Sequence, residues 1–187
     1  MTAKKTYVAL LRGINVGGRN KVAMADLRDA FETHGFDAVR TYIQSGNVVF
    51  ESAAPAKSLE DVVEQMLEKR FGVPLVVVVR SQRQFSAVID KAPKDFGRHP
   101  DEYHSDVIFL KAPLTAKQAM RTVQLRDEVD QAWPGTGVLY FARLSARRTQ
   151  SRMSKIVGTP EYQQMTIRSW ATVTKLQVLL DAPAAGG

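Results

Sequence analysis

Ala38-Val39-Arg40-Thr41-Tyr42-Ile43-Gln44-Ser45-Gly46-Asn47-Val48-Val49-Phe50 reads as two strands joined by a tight turn at Ser45-Gly46. So short a connection obliges the two strands to pair directly, and the neighbouring segments must arrange themselves around that hairpin. Upstream, Tyr7-Val8-Ala9-Leu10-Leu11 is a short apolar run rich in strand formers. Between it and the hairpin, Met24, Leu27, Ala30 and Phe31 recur at helical spacing over Met24–His34, and Gly35 supplies the stop. Downstream, Ser58 is the expected N-cap of a second helix, with Glu60 and Asp61 near its positive end. Leu59, Val62, Val63, Met66 and Leu67 form that helix's apolar stripe, and Gly72 with Pro74 ends it. Leu75–Val79 is a fourth strand.

The resulting order, βαββαβ, is the split arrangement of ferredoxin-like α+β folds. Right-handed crossovers then run strands one and two in the same direction. The end of strand one falls beside the turn between strands two and three. Strands one and four are apolar at nearly every position, so both faces of the sheet call for cover. The two helices supply one face; the rest of the chain or a partner subunit supplies the other.

The second half is less regular. Gln82–Lys91 reads as a helix and Val107–Leu110 as a strand, and Thr115 caps a helix expected to reach about Leu125. Val138–Leu144 is a strand, a helical stretch is expected near Met153, a short strand near Met165–Arg168, and a final helix over Thr172–Leu180. We expect a second, degenerate α+β unit, with no residue-level repeat evident. The expected division is 1–80 for the ferredoxin-like unit, 81–181 for the second unit with its basic C-terminal segment, and 182–187 for a disordered tail.

The chain has 187 residues, 44% hydrophobic and 24% charged, which is ordinary for a globular protein of one moderate or two small domains. It contains no cysteine, which rules out disulfides, thiolate metal sites and a cysteine nucleophile, and fits a cytoplasmic location. The apolar run after Met1-Thr2-Ala3-Lys4-Lys5-Thr6 is too short for a secretory signal, and no stretch approaches membrane-spanning length. The net charge of +7 is uneven: Tyr140–Lys175 carries seven Lys/Arg against the single acid Glu161, a local +6. An anionic partner is one reading of that excess; a solvated basic face is the other.

Two regions are candidates for a site. The first joins the loop Leu11-Arg12-Gly13-Ile14-Asn15-Val16-Gly17-Gly18-Arg19-Asn20-Lys21 to the turn Gln44-Ser45-Gly46-Asn47. Its glycines have nearly P-loop spacing, but Arg19-Asn20 stands where Lys and Ser/Thr are needed, and Asn15 occupies the second glycine of a dinucleotide fingerprint. Two readings remain. Backbone N–H groups with Arg12, Asn15, Arg19 and Lys21 receive a phosphorylated or carboxylated metabolite. Alternatively, Gly13, Gly17 and Gly18 shape a tight loop whose backbone Asn15 and Asn20 bond, with Gln44, Ser45 and Asn47 as turn residues. The second region is Arg147-Arg148-Thr149-Gln150-Ser151-Arg152-Met153-Ser154-Lys155, with Arg168 and Lys175 further on. On a helix, Arg148, Arg152 and Lys155 align at i, i+4 and i+7, a pattern suited to phosphate contacts of nucleic acid. Trp170 is read either as a stacking ring or as core.

The third strand lacks the aromatics of an RNA-recognition domain, since Phe50 stands alone. His34, His99 and His104 show no metal-ligand spacing; His104 beside Asp101, Glu102 and Asp106 is read either as a weak cation site or, in preference, as a solvated loop. No catalytic constellation is recognisable, and neither a cofactor nor a metal is called for, so whether the protein is an enzyme stays open. A third class of function is structural, with the apolar sheet and basic segment serving an oligomer or partner interface.

At these residues the chain resembles the bacterial domain-of-unknown-function family 1697, over about Tyr7–Leu180. The resemblance is carried by Leu11-Arg12-Gly13-Ile14-Asn15-Val16-Gly17-Gly18, by Tyr42-Ile43-Gln44-Ser45-Gly46-Asn47-Val48, and by Arg168-Ser169-Trp170-Ala171-Thr172-Val173-Thr174-Lys175-Leu176. Ser151-Arg152-Met153-Ser154-Lys155 is similar to the family's basic serine motif. The family more usually has Asn where this chain has Ser169 and Ala171, a departure that weighs against amide chemistry there. The resemblance implies an α+β protein with ferredoxin-like elements and brings no established activity.

Overall fold

The hairpin is present and decides the topology. The computed structural model describes residues 3–182. Strand β1 (Lys5–Arg12) pairs antiparallel with both β3 (Asn47–Ser52) and β4 (Val76–Ser81), and β2 (Asp37–Tyr42) pairs antiparallel with β3. The sheet order is β2-β3-β1-β4, with helices α1 (Met24–Thr33) and α2 (Ala56–Phe71) connecting the strands. Because β1 and β2 each oppose β3, they run the same way, as right-handed crossovers require.

Alternation sorts the side chains. Tyr7, Ala9 and Leu11 of β1, Val48 and Phe50 of β3, and Val77 and Val79 of β4 share one face. That face packs against Leu27 and Phe31 of α1 and Leu59, Val63 and Leu67 of α2. The Phe50 ring lies 4.7 Å from Phe36 and 5.3 Å from Phe31, a cluster whose members each contribute roughly 1.5–3 kcal/mol by leaving water. Val8 and Leu10, on the other face of β1, are also buried. Helix α2 begins two residues before the expected cap. Pro55, with φ −71°, presets the entry, and the Ser58 hydroxyl donates back to the Pro55 carbonyl at 3.0 Å instead of capping. Gly72, left-handed at φ 69°, ends the helix with its N–H on the Glu68 carbonyl.

The second sheet repeats the first. Helix α3 (Gln82–Asp90) follows β4, and then come β5 (Tyr103–Leu110), a short α4 (Ala116–Met120), β6 (Asp130–Pro134), β7 (Val138–Leu144) and β8 (Met165–Ser169), before α5 (Trp170–Asp181). The order β6-β7-β5-β8 places the first, second, third and fourth strands as in the first sheet. Three 3-10 turns, Ser145–Gln150, Met153–Gly158 and Pro160–Gln164, stand where the first unit has its second helix. Ile108 and Leu110 of β5 pack with Leu139, Phe141, Met165, Ala119 and Ile156. Thr115 caps α4 in a reciprocal capping box with Gln118, but the helix stops at Met120, short of Leu125. The Thr122 hydroxyl donates to the Ala119 carbonyl there, and the chain turns toward β6, a strand that the sequence pattern does not predict.

The chain divides into two compact units, Met1–Ser86 with Leu176–Gly187, and Ala87–Lys175. The division falls inside α3 and α5, whereas the sequence reading places it at 80/81 with the whole of α5 in the second unit. Of the expected tail, Ala182 closes α5 through its N–H on Val178, and residues 183–187 lie outside those described.

Candidate functional site

The two glycine- and asparagine-rich segments meet. Leu10 pairs with Asn47, the Leu11 N–H donates to the Gly46 carbonyl at 2.8 Å, and the Asn15 side chain donates to the Gln44 carbonyl at 2.9 Å. Residues 15–20 form a miniature hairpin: Asn15 N–H donates to Asn20 O, and Arg19 N–H to Val16 O, each at 3.1 Å. Gly17 and Gly18 sit at φ 58° and 75°, the left-handed pair that such a two-residue turn demands. Asn15 and Asn20 are themselves left-handed, at φ 55° and 47°.

The three asparagine side chains in this region are engaged within it. Asn15 accepts from Val22 N–H and donates to the Val22 and Gln44 carbonyls, Asn20 donates to Gly13 O, and buried Asn47 donates to Tyr42 O and Ser45 Oγ. Buried Ile14 lies against Gly46 at the base of the loop. The outer rim is cationic and apolar: Arg19, Lys21, Gln44, Val16 and Ile43 are exposed, and Arg12 is half-buried.

The basic segment is not one helix. A kink at Arg147 (φ −118°) and the break at Ser151-Arg152 divide it into 3-10 turns, so Arg148, Arg152 and Lys155 do not share a helical face. It is nevertheless firmly held. Buried Asp130 accepts from the backbone N–H of Arg126 at 2.9 Å and of Arg152 at 2.8 Å, and Ser145 N–H donates to Glu102 O. Arg148, Arg152 and Lys155 are exposed. Arg147 is tied down by Gln150 at 3.0 Å and Glu128 at 3.8 Å, while the Arg152 guanidinium reaches Leu125 O at 3.4 Å. Among the described residues, Arg148 and Lys155 form no ion pair. Lys175 is exposed on α5.

Arg168 departs from the expected set. It is 7% exposed, its guanidinium donates to the Ile167 carbonyl at 2.9 Å, and burial pushes its pKa down to about 10. It is a buried structural cation, not a surface contact. Trp170 packs edge-on against Phe96 at 5.1 Å and lies so close to Gly97 that a Cβ there would overlap the indole, which fits the core reading rather than stacking.

Two features escaped the sequence. His104 belongs to β5 and not to a loop. Its Nε2 lies 3.3 Å from buried Asp106, which Arg143 also meets at 3.3 Å. Burial raises the Asp106 pKa, opposed by His104, Arg143 and Arg148. The second feature is a residue-level repeat. Arg80-Ser81 and Arg168-Ser169 close equivalent strands, each arginine donating to the preceding carbonyl at 2.9 Å. Each serine hydroxyl also receives the N–H three residues on, at 3.3 Å. Two matching residues in a run of unlike neighbours are too few to stand out before the strands are superposed.

A groove of about 590 Å³ between α1 and α2, floored by Ala30, Val62 and Met66 and crossed by the Asp29–Arg70 pair at 3.0 Å, shares no residue with either candidate surface. Among the described residues there is no cluster of three metal-ligating side chains, and no helix long and apolar enough to cross a membrane.

Fold and surfaces together define an α+β protein of two ferredoxin-like units bearing a braced glycine hairpin on one and an exposed cationic segment on the other. The family model described as "Protein of unknown function (DUF1697)" matches residues 4–140, and the chain belongs to that family. The matched residues include both glycine-rich segments and stop before the basic segment. Among solved structures the chain is similar to the conserved bacterial protein SP0830 from Streptococcus pneumoniae, at 28% identity and a TM-score of 0.85. That likeness covers 96% of this chain and 100% of the other. No curated protein matches.

Proposed function

We propose that this protein binds the phosphate backbone of nucleic acid through Arg148, Arg152 and Lys155, with Arg147 at the margin, and that it does so in the cytoplasm. The observation that carries the reading is the acid-free stretch 131–160, which holds Arg143, Arg147, Arg148, Arg152 and Lys155 and displays three of them outward from a segment anchored by Asp130. Exposed cations on a braced backbone meet phosphates without first ordering a loop, which reduces the entropic cost of binding. Hydroxyls at Thr149, Ser151 and Ser154 lie between them and add uncharged donors of the kind that contact phosphate oxygens. Arg168 drops out of the contact set because it is buried, and the zero-cysteine composition favours the cytoplasmic assignment.

Neutralising three to four phosphates gives a slope of log K against log salt of about −3 on duplex DNA. The test is fluorescence anisotropy of labelled single-stranded RNA and duplex DNA over a salt series. Wild type is expected to bind with a slope at least that steep, and Arg152→Glu to bind more weakly with a shallower slope. Equal binding by both proteins, or none at low salt, overturns the reading.

A further inference from the structure

We infer that the glycine hairpin Asn15–Asn20 is a second contact for nucleic-acid phosphates, made by the N–H groups of its tip together with Arg19 and Lys21. This deepens the proposed function, on which the identity of the partner rests, but a separate set of observations carries it. The first acid of the chain is Asp26, and the residues before it include Lys4, Lys5, Arg12, Arg19 and Lys21. The cationic bias at this end is therefore independent of the basic C-terminal segment.

The second observation is mechanical. The hairpin is closed by Asn15 N–H on Asn20 O and Arg19 N–H on Val16 O, and its base is locked by the three hydrogen bonds of the Asn15 side chain and by buried Ile14. Residues 16–21 are all exposed, with Val16 at 65%. The Asn15 and Asn20 amide groups donate to the loop's own frame, and the tip N–H groups and the side chains of Arg19 and Lys21 are what the exposed loop offers a partner.

The third observation is chemical. Gly17 and Gly18 have no Cβ and nothing within 4 Å of where one would stand, so their backbone can come close to a ligand. Their N–H groups donate to nothing among the described residues, and Arg19 and Lys21 form no ion pair among them. Two unspent backbone donors beside a guanidinium and an ammonium are the chemistry that receives a phosphate oxygen pair. The small tip also suits a narrow groove between two phosphate rows, which a bulky loop could not enter.

The experiment compares the full chain with Arg19→Glu/Lys21→Glu and with Arg148→Glu/Arg152→Glu, each first shown to melt as wild type. Affinity for a short duplex and for single-stranded RNA is read over a four-fold range of salt. Loss of two phosphate contacts is expected to lower the slope by about 2 and to weaken binding roughly ten-fold at the low-salt end. If the hairpin variant binds as wild type while the Arg148/Arg152 variant is weakened, the inference is overturned and the proposed function stands. If only the hairpin variant is weakened, the hairpin contact stands and the basic segment is the part that fails. No binding by wild type at low salt overturns both.

Discussion

Gly46→Ala is expected to cost more than its position in an outward-facing turn suggests. Gly46 is buried at φ +80°, and a Cβ placed on it would lie 2.7 Å from Ile14 Cδ1 and 2.8 Å from Leu11 Cβ. Neither neighbour can retreat: Ile14 is 1% exposed, and Leu11 is held in β1 with its N–H on the Gly46 carbonyl. Left-handed backbone costs an L-residue about 1–2 kcal/mol, and forcing a methyl into packed surroundings adds roughly 1–3 kcal/mol. The sum is about 2–5 kcal/mol, a large part of the roughly 5–15 kcal/mol that holds a domain folded. Gly17→Ala is the control, since its φ of +58° carries the backbone strain while nothing lies within 4 Å of its Cβ. Urea unfolding of the two variants isolates the steric part, expected at about 1–3 kcal/mol. Ile14→Val removes the nearest methyl, so the double variant Ile14→Val/Gly46→Ala is expected to lose less than the two single losses added together. Equal costs for Gly46→Ala and Gly17→Ala, with no coupling to Ile14, would refute the reasoning.

Asn15→Ala removes three hydrogen bonds and leaves a residue with a Cβ at φ 55°, for a loss of about 2–4 kcal/mol, while Asn15→Gly keeps the hydrogen-bond loss and relieves the strain; thermal midpoints should rank wild type, Gly, then Ala. Burial raises the Asp106 pKa above its ordinary 3.8, so the folded state takes up that proton first and the Asp106 contribution to stability falls as pH rises through the folded value. The stability of wild type relative to Asp106→Asn should therefore be greater at pH about 3.5, below the ordinary value, than at about 7.5 by urea unfolding, and the opposite trend would contradict the burial argument. Arg168→Ala should lower the urea midpoint while leaving the salt slope of binding unchanged; an unchanged midpoint with a shallower slope would return Arg168 to the contact set.

How far the fold was legible follows from where the local signals were strong. The first unit could be read because Tyr7–Leu11, the Ser45-Gly46 turn and the stripes of α1 and α2 all point to one arrangement. That same order predicted the meeting of the two glycine-rich segments, which the Leu11–Gly46 and Asn15–Gln44 bonds display. Strand β6 carries no local signal, because Asp130-Gln131-Ala132-Trp133-Pro134 lacks alternation and ends in proline; pairing with β7 makes it a strand. Cation spacing shows only how Arg148, Arg152 and Lys155 would align if the segment were a helix; Asp130 takes the Arg152 N–H and the chain continues as separate 3-10 turns. Ser58 had the right chemistry for a cap and lost the position to Pro55. At the site, the residue types disclosed polarity but not its direction. Asn15, Asn20 and Asn47 face inward to the loop's own backbone, and Arg168 lies buried, because strand register and loop curvature are set by the whole sheet.

The central claim is that the cations of residues 147–155 meet nucleic-acid phosphates. Amide chemical-shift mapping of the labelled protein, titrated with a short oligonucleotide, tests it most directly. The account predicts shifts concentrated at Arg147–Lys155, with a second cluster at Val16–Lys21, both fading as salt is raised. Shifts confined to the α1–α2 groove lined by Ala30, Val62 and Met66, or no shifts at low salt, would contradict it.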